Sequence, residues 1–193
     1  MKRVLTAILI TLFLISFALA SQGNGQGVQA GASAQNQEKI KEGNYEDERG
    51  NKFQIQERDQ ERTRIKAGNF SADCDCNITQ EKSQNKTKLK TQLSNGRNAE
   101  IKVMPDTASE RALERLRLKN CIEEQGCTIE LKEIGKGNET ELAYELKTQR
   151  QSRVFGIIKT PMQVQAQVNA ESGEIIRIKK PWWAFIASEP EEE

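Results

Sequence analysis

Four cysteines, Cys74, Cys76, Cys121 and Cys127, are the residues of this 193-residue chain whose type and spacing could do chemistry. Four thiolates can bind a structural zinc ion, and pairs of thiols can form disulfides. Structural zinc sites usually take cysteines with two to four residues between them, whereas one residue and five residues separate the pairs here. We therefore expect two disulfides and no metal site, with a four-cysteine zinc site as the alternative.

The connectivity of these disulfides has three possible forms. Cys121 and Cys127 flank a turn-forming stretch that ends in Gly126, and a bond between them could close that turn. Cys74 and Cys76 lie two residues apart on a predicted extended strand, where their Cα atoms would be near the upper distance limit for a bond. This strain favours pairings that cross between the two halves of the chain, and the sequence leaves the choice open.

The chain contains no histidine. This excludes Ser–His and Cys–His nucleophile pairs, imidazole metal ligands and a histidine pH switch. Asp73 and Asp75 fall on the polar face of a predicted strand, where we expect them to be solvated, and Glu123 and Glu124 fall in a predicted turn. No phosphate loop or nucleophile elbow is present. We predict no catalytic residue, no cofactor and no enzyme activity, with a carboxylate pair at glycosidase spacing as the alternative.

The net charge limits the classes of partner. Lys and Arg number 29 and Asp and Glu number 28, which gives a formal charge of +1. Proteins that bind nucleic acids normally carry a strongly basic footprint. We therefore predict that the chain has no nucleic-acid partner.

Four asparagines, Asn69, Asn77, Asn85 and Asn138, lie in the triplet Asn-X-Ser/Thr. This triplet is the acceptor for N-glycosylation in exported proteins, where it marks exposed loops. The four asparagines are therefore candidate glycosylation sites.

The N-terminus has the pattern of a secretory signal peptide over residues 1–20. Lys2 and Arg3 precede an apolar stretch, and Ala18-Leu19-Ala20 is a small-residue cleavage site. We predict export to the extracytoplasmic surface, with an uncleaved membrane anchor as the alternative. Residues 21–37 are uncharged and rich in Gly and Gln, and this composition predicts a flexible linker.

Alternation of apolar and polar residues, which dominates from residue 52 onward, predicts half-buried strands. Phe53 and Ile55 share one face of such a strand. The Asn95-Gly96 pair is a strong hairpin signal between two alternating runs. We predict an antiparallel β-meander over 38–104, whose core is thin and whose outer faces are polar.

A helix and a second group of strands are predicted over residues 105–187. Pro105 ends the preceding strand, and Thr107 with Glu110 has the form of a capping box, for which Asp106 is the competing cap. We expect a helix of about 12 residues that packs on the core, followed by four or five antiparallel strands. The fold class is α+β, mostly antiparallel β.

The C-terminal tail holds both tryptophans, Trp182 and Trp183, together with Phe185. One interpretation is that this segment folds back and closes the end of the sheet, because a small core needs the area that Trp and Phe bury. The other is a docking tip, since two lysines beside two tryptophans suit a membrane interface or a partner groove. Residues 188–193 form an acidic end that would oppose binding to an anionic surface.

Residues 168–176, Val-Asn-Ala-Glu-Ser-Gly-Glu-Ile-Ile, resemble the terminal hairpin of PepSY domains. Residues 143–146, Ala-Tyr-Glu-Leu, are similar to a strand of that family, and the predicted helix lies upstream as expected. Asn169 stands where the family usually has aspartate, and Ser172 where it usually has threonine. The resemblance covers about residues 107–180. It implies a small secreted or envelope module, without catalysis of its own, that restrains or tunes a peptidase.

The whole chain also resembles uncharacterised secreted proteins of small-genome archaea. Together, these features predict an exported, non-catalytic binding or regulatory module of the cell envelope. Its partner would be an envelope protein, for which the resemblance suggests a peptidase, and membrane contact would come only from an uncleaved signal helix or the Trp tail. The alternative is a structural or surface-layer-associated glycoprotein with no discrete partner.

Overall fold

The computed structural model of the chain describes residues 38–59, 62–83 and 85–188. These residues fall within one compact unit, Gln35–Glu193. The predicted signal segment 1–20, the linker 21–37 and the acidic residues 189–193 lie outside the described residues. Among the described residues, no helix is long and apolar enough to cross a membrane.

The described residues form strands and one α-helix. The strands before the helix are β1 (Glu38–Lys39), β2 (Gly43–Glu46), β3 (Lys52–Asp59), β4 (Arg62–Ala67), β5 (Phe70–Cys74), β6 (Ile78–Ser83), β7 (Lys86–Gln92) and β8 (Asn98–Ile101). The helix α1 spans Pro105–Leu116. The strands after it are β9 (Thr128–Ile134), β10 (Glu141–Val154), β11 (Ile158–Asn169), β12 (Ile175–Lys179) and β13 (Ala187–Ser188). Short 3₁₀ helices span Glu123–Gln125, Gly137–Glu139 and Trp182–Ile186.

These strands make two sheets. The main sheet has the order β12-β11-β10-β9-β5-β4-β3-β2, and β13 pairs with the end of β10. The second sheet has the order β1-β6-β7-β8. Within the main sheet, β5 and β9 are parallel, and the other neighbouring pairs are antiparallel. The predicted class, α+β with mostly antiparallel β-structure, is confirmed.

The strands that were predicted as one meander belong to both sheets. β2 to β5 form consecutive hairpins in the main sheet, and the chain then crosses to the second sheet between Cys74 and Ile78. The hairpin predicted from Asn95-Gly96 joins β7 to β8, where the Leu93 amide donates to the Arg97 carbonyl over 2.8 Å. The main sheet also contains strands from both sides of residue 104, where the predicted meander ends.

Helix α1 has the predicted length, but the predicted capping box is wrong. The helix begins at Pro105, and the N-cap residue Met104 makes no side-chain cap bond. Proline suits the first helical position because the backbone N–H group that it lacks would have no partner within the helix at that position. Thr107 and Asp106 therefore lie inside the first turn, where the Asp106 carboxylate accepts a 2.7 Å bond from the Thr107 amide.

One apolar core joins the helix and both sheets. The buried faces of α1, of the main sheet and of the second sheet form a single cluster. Tyr144, in the middle of β10, is the largest fully buried side chain of the described residues, and its hydroxyl donates to the Val103 carbonyl over 2.8 Å. The opposite face of the main sheet is polar, as the alternation along its strands predicts.

The turn of the PepSY-like hairpin is fastened to the helix. Asn169 Oδ1 accepts bonds from the Glu171 and Ser172 amides over 2.8 and 2.9 Å, and Arg111 of α1 donates to the Gly173 carbonyl over 2.6 Å. Gly173 has a φ of 75°, and a Cβ there would collide with the Arg111 guanidinium. The residues that carry the resemblance therefore have a structural role in closing this turn.

We predict that Gly173→Ala lowers the free energy of unfolding by about 2 kcal/mol, from left-handed strain plus displacement of Arg111. Gly96→Ala is the matched control, because Gly96 has a φ of 82° and nothing lies within 4 Å of the position that an alanine Cβ would take there. It should cost about 1 kcal/mol, from the strain alone. Urea unfolding of both variants measures the difference, and equal costs would contradict the role of Arg111.

The disulfides join Cys74 to Cys76 and Cys121 to Cys127. The preference for pairings that cross the chain is therefore wrong. It assumed an extended strand through Cys76, but β5 ends at Cys74 and the chain bends at Cys76, which brings the two Cα atoms within 5.2 Å. That separation is ordinary for a disulfide. The Cys121–Cys127 bond closes the turn that contains the 3₁₀ helix Glu123–Gln125.

Trypsin should separate the two disulfides without reduction. Cleavage after Lys and Arg gives one peptide over 67–82 with both strand cysteines and one over 120–132 with the other two. We predict that each peptide is lighter by two hydrogen atoms than its reduced form. A species that joins the two peptides would show crossed pairings and contradict the structure.

Candidate interaction surface

Three of the four carboxylates that the sequence analysis singled out pair with arginines. Asp73 accepts two bonds from the Arg64 guanidinium, over 2.6 and 2.9 Å, and these lower the pKa of the Asp73 carboxyl. Glu123 pairs with the same guanidinium over 3.3 Å, and Asp75 pairs with Arg62 over 3.1 Å. Asp75 is mostly exposed, as predicted, whereas Asp73 is only partly exposed and its carboxylate is bound by Arg64. Within 38–59, 62–83 and 85–188, no group of three Cys, Asp or Glu side chains could hold a metal ion.

A cavity of about 510 Å³ lies beside β5 and β9, next to these ion pairs. Cysteines of both disulfides line it, together with Arg64 and Asp73. The Arg64 side chain is largely buried, and its donors are already directed at Asp73 and Glu123. A ligand in this cavity would therefore meet charged side chains that already pair with one another.

Glu145 is the centre of a second polar network, on the outer face of the main sheet. Its side chain is buried and accepts bonds from Lys132 and Gln165, from Lys147 over 2.9 Å and from Gln167 over 2.7 Å. Burial alone would raise the pKa of Glu145, but the hydrogen bonds from the two lysines and Gln167 outweigh it and lower the pKa to about 2. Glu145 is therefore ionised in the folded chain, and its carboxylate links side chains of β9, β10 and β11.

Exposed apolar side chains collect at one end of the main sheet. Phe155 is 71% exposed and Ile157 82% exposed at the turn between β10 and β11, and Ile158 begins β11. Trp182 and Phe185 are each 80% exposed in the 3₁₀ helix Trp182–Ile186. We call these five residues the apolar tip. Ile176, in β12, is the one other large apolar side chain exposed among the described residues.

Backbone bonds join the two segments of the apolar tip. The Phe155 amide donates to the Ile186 carbonyl over 3.1 Å, and β13 pairs with β10 at Arg153 and Val154. Trp183 is half-buried and packs against the core. The tail thus packs onto the sheet through Trp183 and presents Trp182 and Phe185 outward, and the docking interpretation stays a prediction.

Sequence reasoning missed the half of the apolar tip that lies on the hairpin. Phe155, Ile157 and Ile158 surround Gly156, in a run that breaks the polar–apolar alternation of β10 and β11. Consecutive apolar residues at a hairpin turn have no core to face, and that signal could have identified them. Phe155 has a φ of 51°, which is uncommon for a bulky residue.

The four candidate glycosylation sites are accessible. Asn69, Asn77, Asn85 and Asn138 are all exposed, and each lies in a turn, a loop or a short 3₁₀ helix. Asn138 precedes the start of β10, at the opposite end of that strand from the apolar tip.

Comparisons of the chain with protein-family models, with curated proteins and with solved structures gave no match.

Proposed function

We propose that this protein is an exported, non-catalytic binding module of the cell envelope that docks through its apolar tip. The observation that carries the proposal is the grouping of five exposed large apolar side chains on two segments that are bonded together. Proteins seldom expose such a patch unless it contacts a partner or a membrane.

The disulfides support the location. Two disulfides in a chain of this size are typical of an oxidising, extracytoplasmic environment. Export through the apolar N-terminus belongs to the proposal, as does its alternative, an anchor formed by that same segment. The module would act on an envelope protein, and the PepSY resemblance makes a peptidase the class to look for.

Photo-crosslinking tests the proposal. A photoreactive amino acid would replace Phe155 or Trp182, and Ile176 would serve as the control position because it is exposed but lies outside the tip. After incubation with envelopes from the host, we expect recurrent adducts from positions 155 and 182 and few from 176. Equal, diffuse labelling from all three positions would contradict docking through the tip.

A structural glycoprotein is the second candidate, favoured by the exposure of all four sequon asparagines. It predicts glycans on Asn69, Asn77, Asn85 and Asn138 and crosslinks mainly to copies of the same chain or to surface-layer protein. A peptide map of the native protein in which all four asparagines are bare would contradict it.

A further inference from the structure

We propose that the apolar tip inserts into the surface of a lipid bilayer that carries anionic headgroups. This inference rests on the proposed function, because it names the envelope component that the tip contacts. It combines the shape, the area and the charge of one end of the molecule.

The apolar tip projects from the sheet. β10 pairs with β9 only as far as Lys147, so residues 148–154 extend past β9 with β11 and β13 as their neighbours. The turn at the end of this extension places Phe155 and Gly156 in left-handed conformations, with φ of 51° and 73°. A bulky residue such as Phe155 is strained in this conformation, and backbone strain of this kind clusters at functional sites. A projecting tip suits insertion into a bilayer.

The exposed apolar area of the tip is sufficient for peripheral membrane binding. Its five mostly exposed side chains present roughly 700 Å² of apolar surface. Peripheral membrane binding requires only that apolar side chains enter the outer part of the bilayer, to a depth of about 5–10 Å.

The charges behind the apolar tip complement a phosphate-bearing surface. Residues 151–168 contain two Lys or Arg, residues 175–188 contain three, and neither range contains Asp or Glu. Arg153 and Lys159 are exposed next to the turn, Lys179 is exposed at the end of β12, and no carboxylate of the described residues pairs with any of the three. Tryptophan with flanking Lys and Arg is the composition that membrane interfaces favour.

The acidic residues Glu189, Glu191, Glu192 and Glu193 follow Ser188 directly in the sequence. Their charge opposes attraction to anionic lipids, whatever their conformation. Removal of residues 189–193 should therefore strengthen binding to anionic vesicles by roughly fivefold or more, with little effect on neutral vesicles.

Intrinsic fluorescence tests the inference on the full chain, because Trp182 and Trp183 are its only tryptophans. A Trp183→Phe variant makes Trp182 the single reporter. We expect its emission to shift to shorter wavelength on addition of vesicles with one-third anionic phospholipid, and less with neutral phospholipid vesicles. Lipids brominated near the headgroup should quench it more than lipids brominated at the chain ends. Membrane attachment by the N-terminal apolar segment alone would leave this emission unchanged.

Two further variants in the same background locate the contact. Phe155→Ser with Ile157→Ser should weaken vesicle binding roughly tenfold or more, because both apolar side chains are removed. Ile176→Ser should leave the shift unchanged, because Ile176 is an exposed apolar residue outside the tip. Circular dichroism and thermal unfolding would verify that each variant folds.

The outcomes separate this inference from the proposed function. An unchanged Trp182 emission with both kinds of vesicle, or an equal shift in the Phe155/Ile157 variant, would overturn lipid insertion. If position 182 still crosslinks to one envelope protein in that case, the tip binds a protein and the proposed function stands. If it neither responds to vesicles nor crosslinks, both proposals fail.

Discussion

The Tyr144→Ala variant is expected to lose about 4 kcal/mol of unfolding free energy, the range found for buried aromatic residues replaced by alanine. Tyr144 is fully buried in the middle of β10, in the cluster that joins the helix to both sheets. Its loss would leave a cavity at the point where all three elements meet. A core this thin has few other side chains of that size to compensate.

Tyr144→Phe separates packing from hydrogen bonding. The ring remains, but the bond to the Val103 carbonyl, just before α1, is lost. This variant should lose only about 1 kcal/mol. Urea unfolding with the disulfides intact measures both variants, and similar losses for alanine and phenylalanine would contradict the packing role of the ring.

Acid should destabilise the protein through Glu145, by on the order of 3 kcal/mol between about pH 4.5 and pH 2. The pKa of this carboxyl is about 2 in the folded chain and 4.5 in its ordinary state. The unfolded chain therefore binds more protons in this window, so the free energy of unfolding falls as the pH falls. The contribution is fully present above pH 4.5 and is lost as the pH approaches 2.

Glu145→Gln isolates this effect from the other carboxyl groups. At pH 7 the variant should be less stable than the wild type by on the order of 3 kcal/mol, because Lys132 and Lys147 lose a buried partner. The difference should shrink as the pH approaches 2, where the wild-type carboxyl becomes neutral. A difference that stays constant from pH 7 to pH 2 would contradict the role of the Glu145 charge.

Local patterns predicted the elements of this fold well, because periodicity and turn chemistry act over a few residues. The alternation at Phe53 and Ile55 and the Asn95-Gly96 hairpin were confirmed for that reason. The predicted start of the helix was wrong because two local signals competed. Pro105 fits the first helical position as well as the end of a strand, and that position excludes Thr107 as a cap.

Features that depend on contacts between residues far apart in the chain could not be predicted from the sequence. The bend after Cys74, which permits the Cys74–Cys76 bond, accompanies the crossing of the chain from one sheet to the other. The ionisation of Glu145 depends on lysines from two strands whose register is set only by the folded sheet. The apolar tip likewise required the pairing of β13 with β10, which joins the segment that carries Trp182 and Phe185 to the hairpin that carries Phe155. Sequence reasoning found Trp182 and Phe185 but not their neighbours.

Docking of this protein to the envelope through its apolar tip is tested most directly by co-sedimentation with envelopes from the host. The Phe155→Ser/Trp182→Ser variant should bind at least roughly tenfold more weakly than the wild type, because two of the most exposed apolar side chains are gone. The Ile176→Ser variant should bind as the wild type does. Equal sedimentation of all three proteins would contradict docking through the tip.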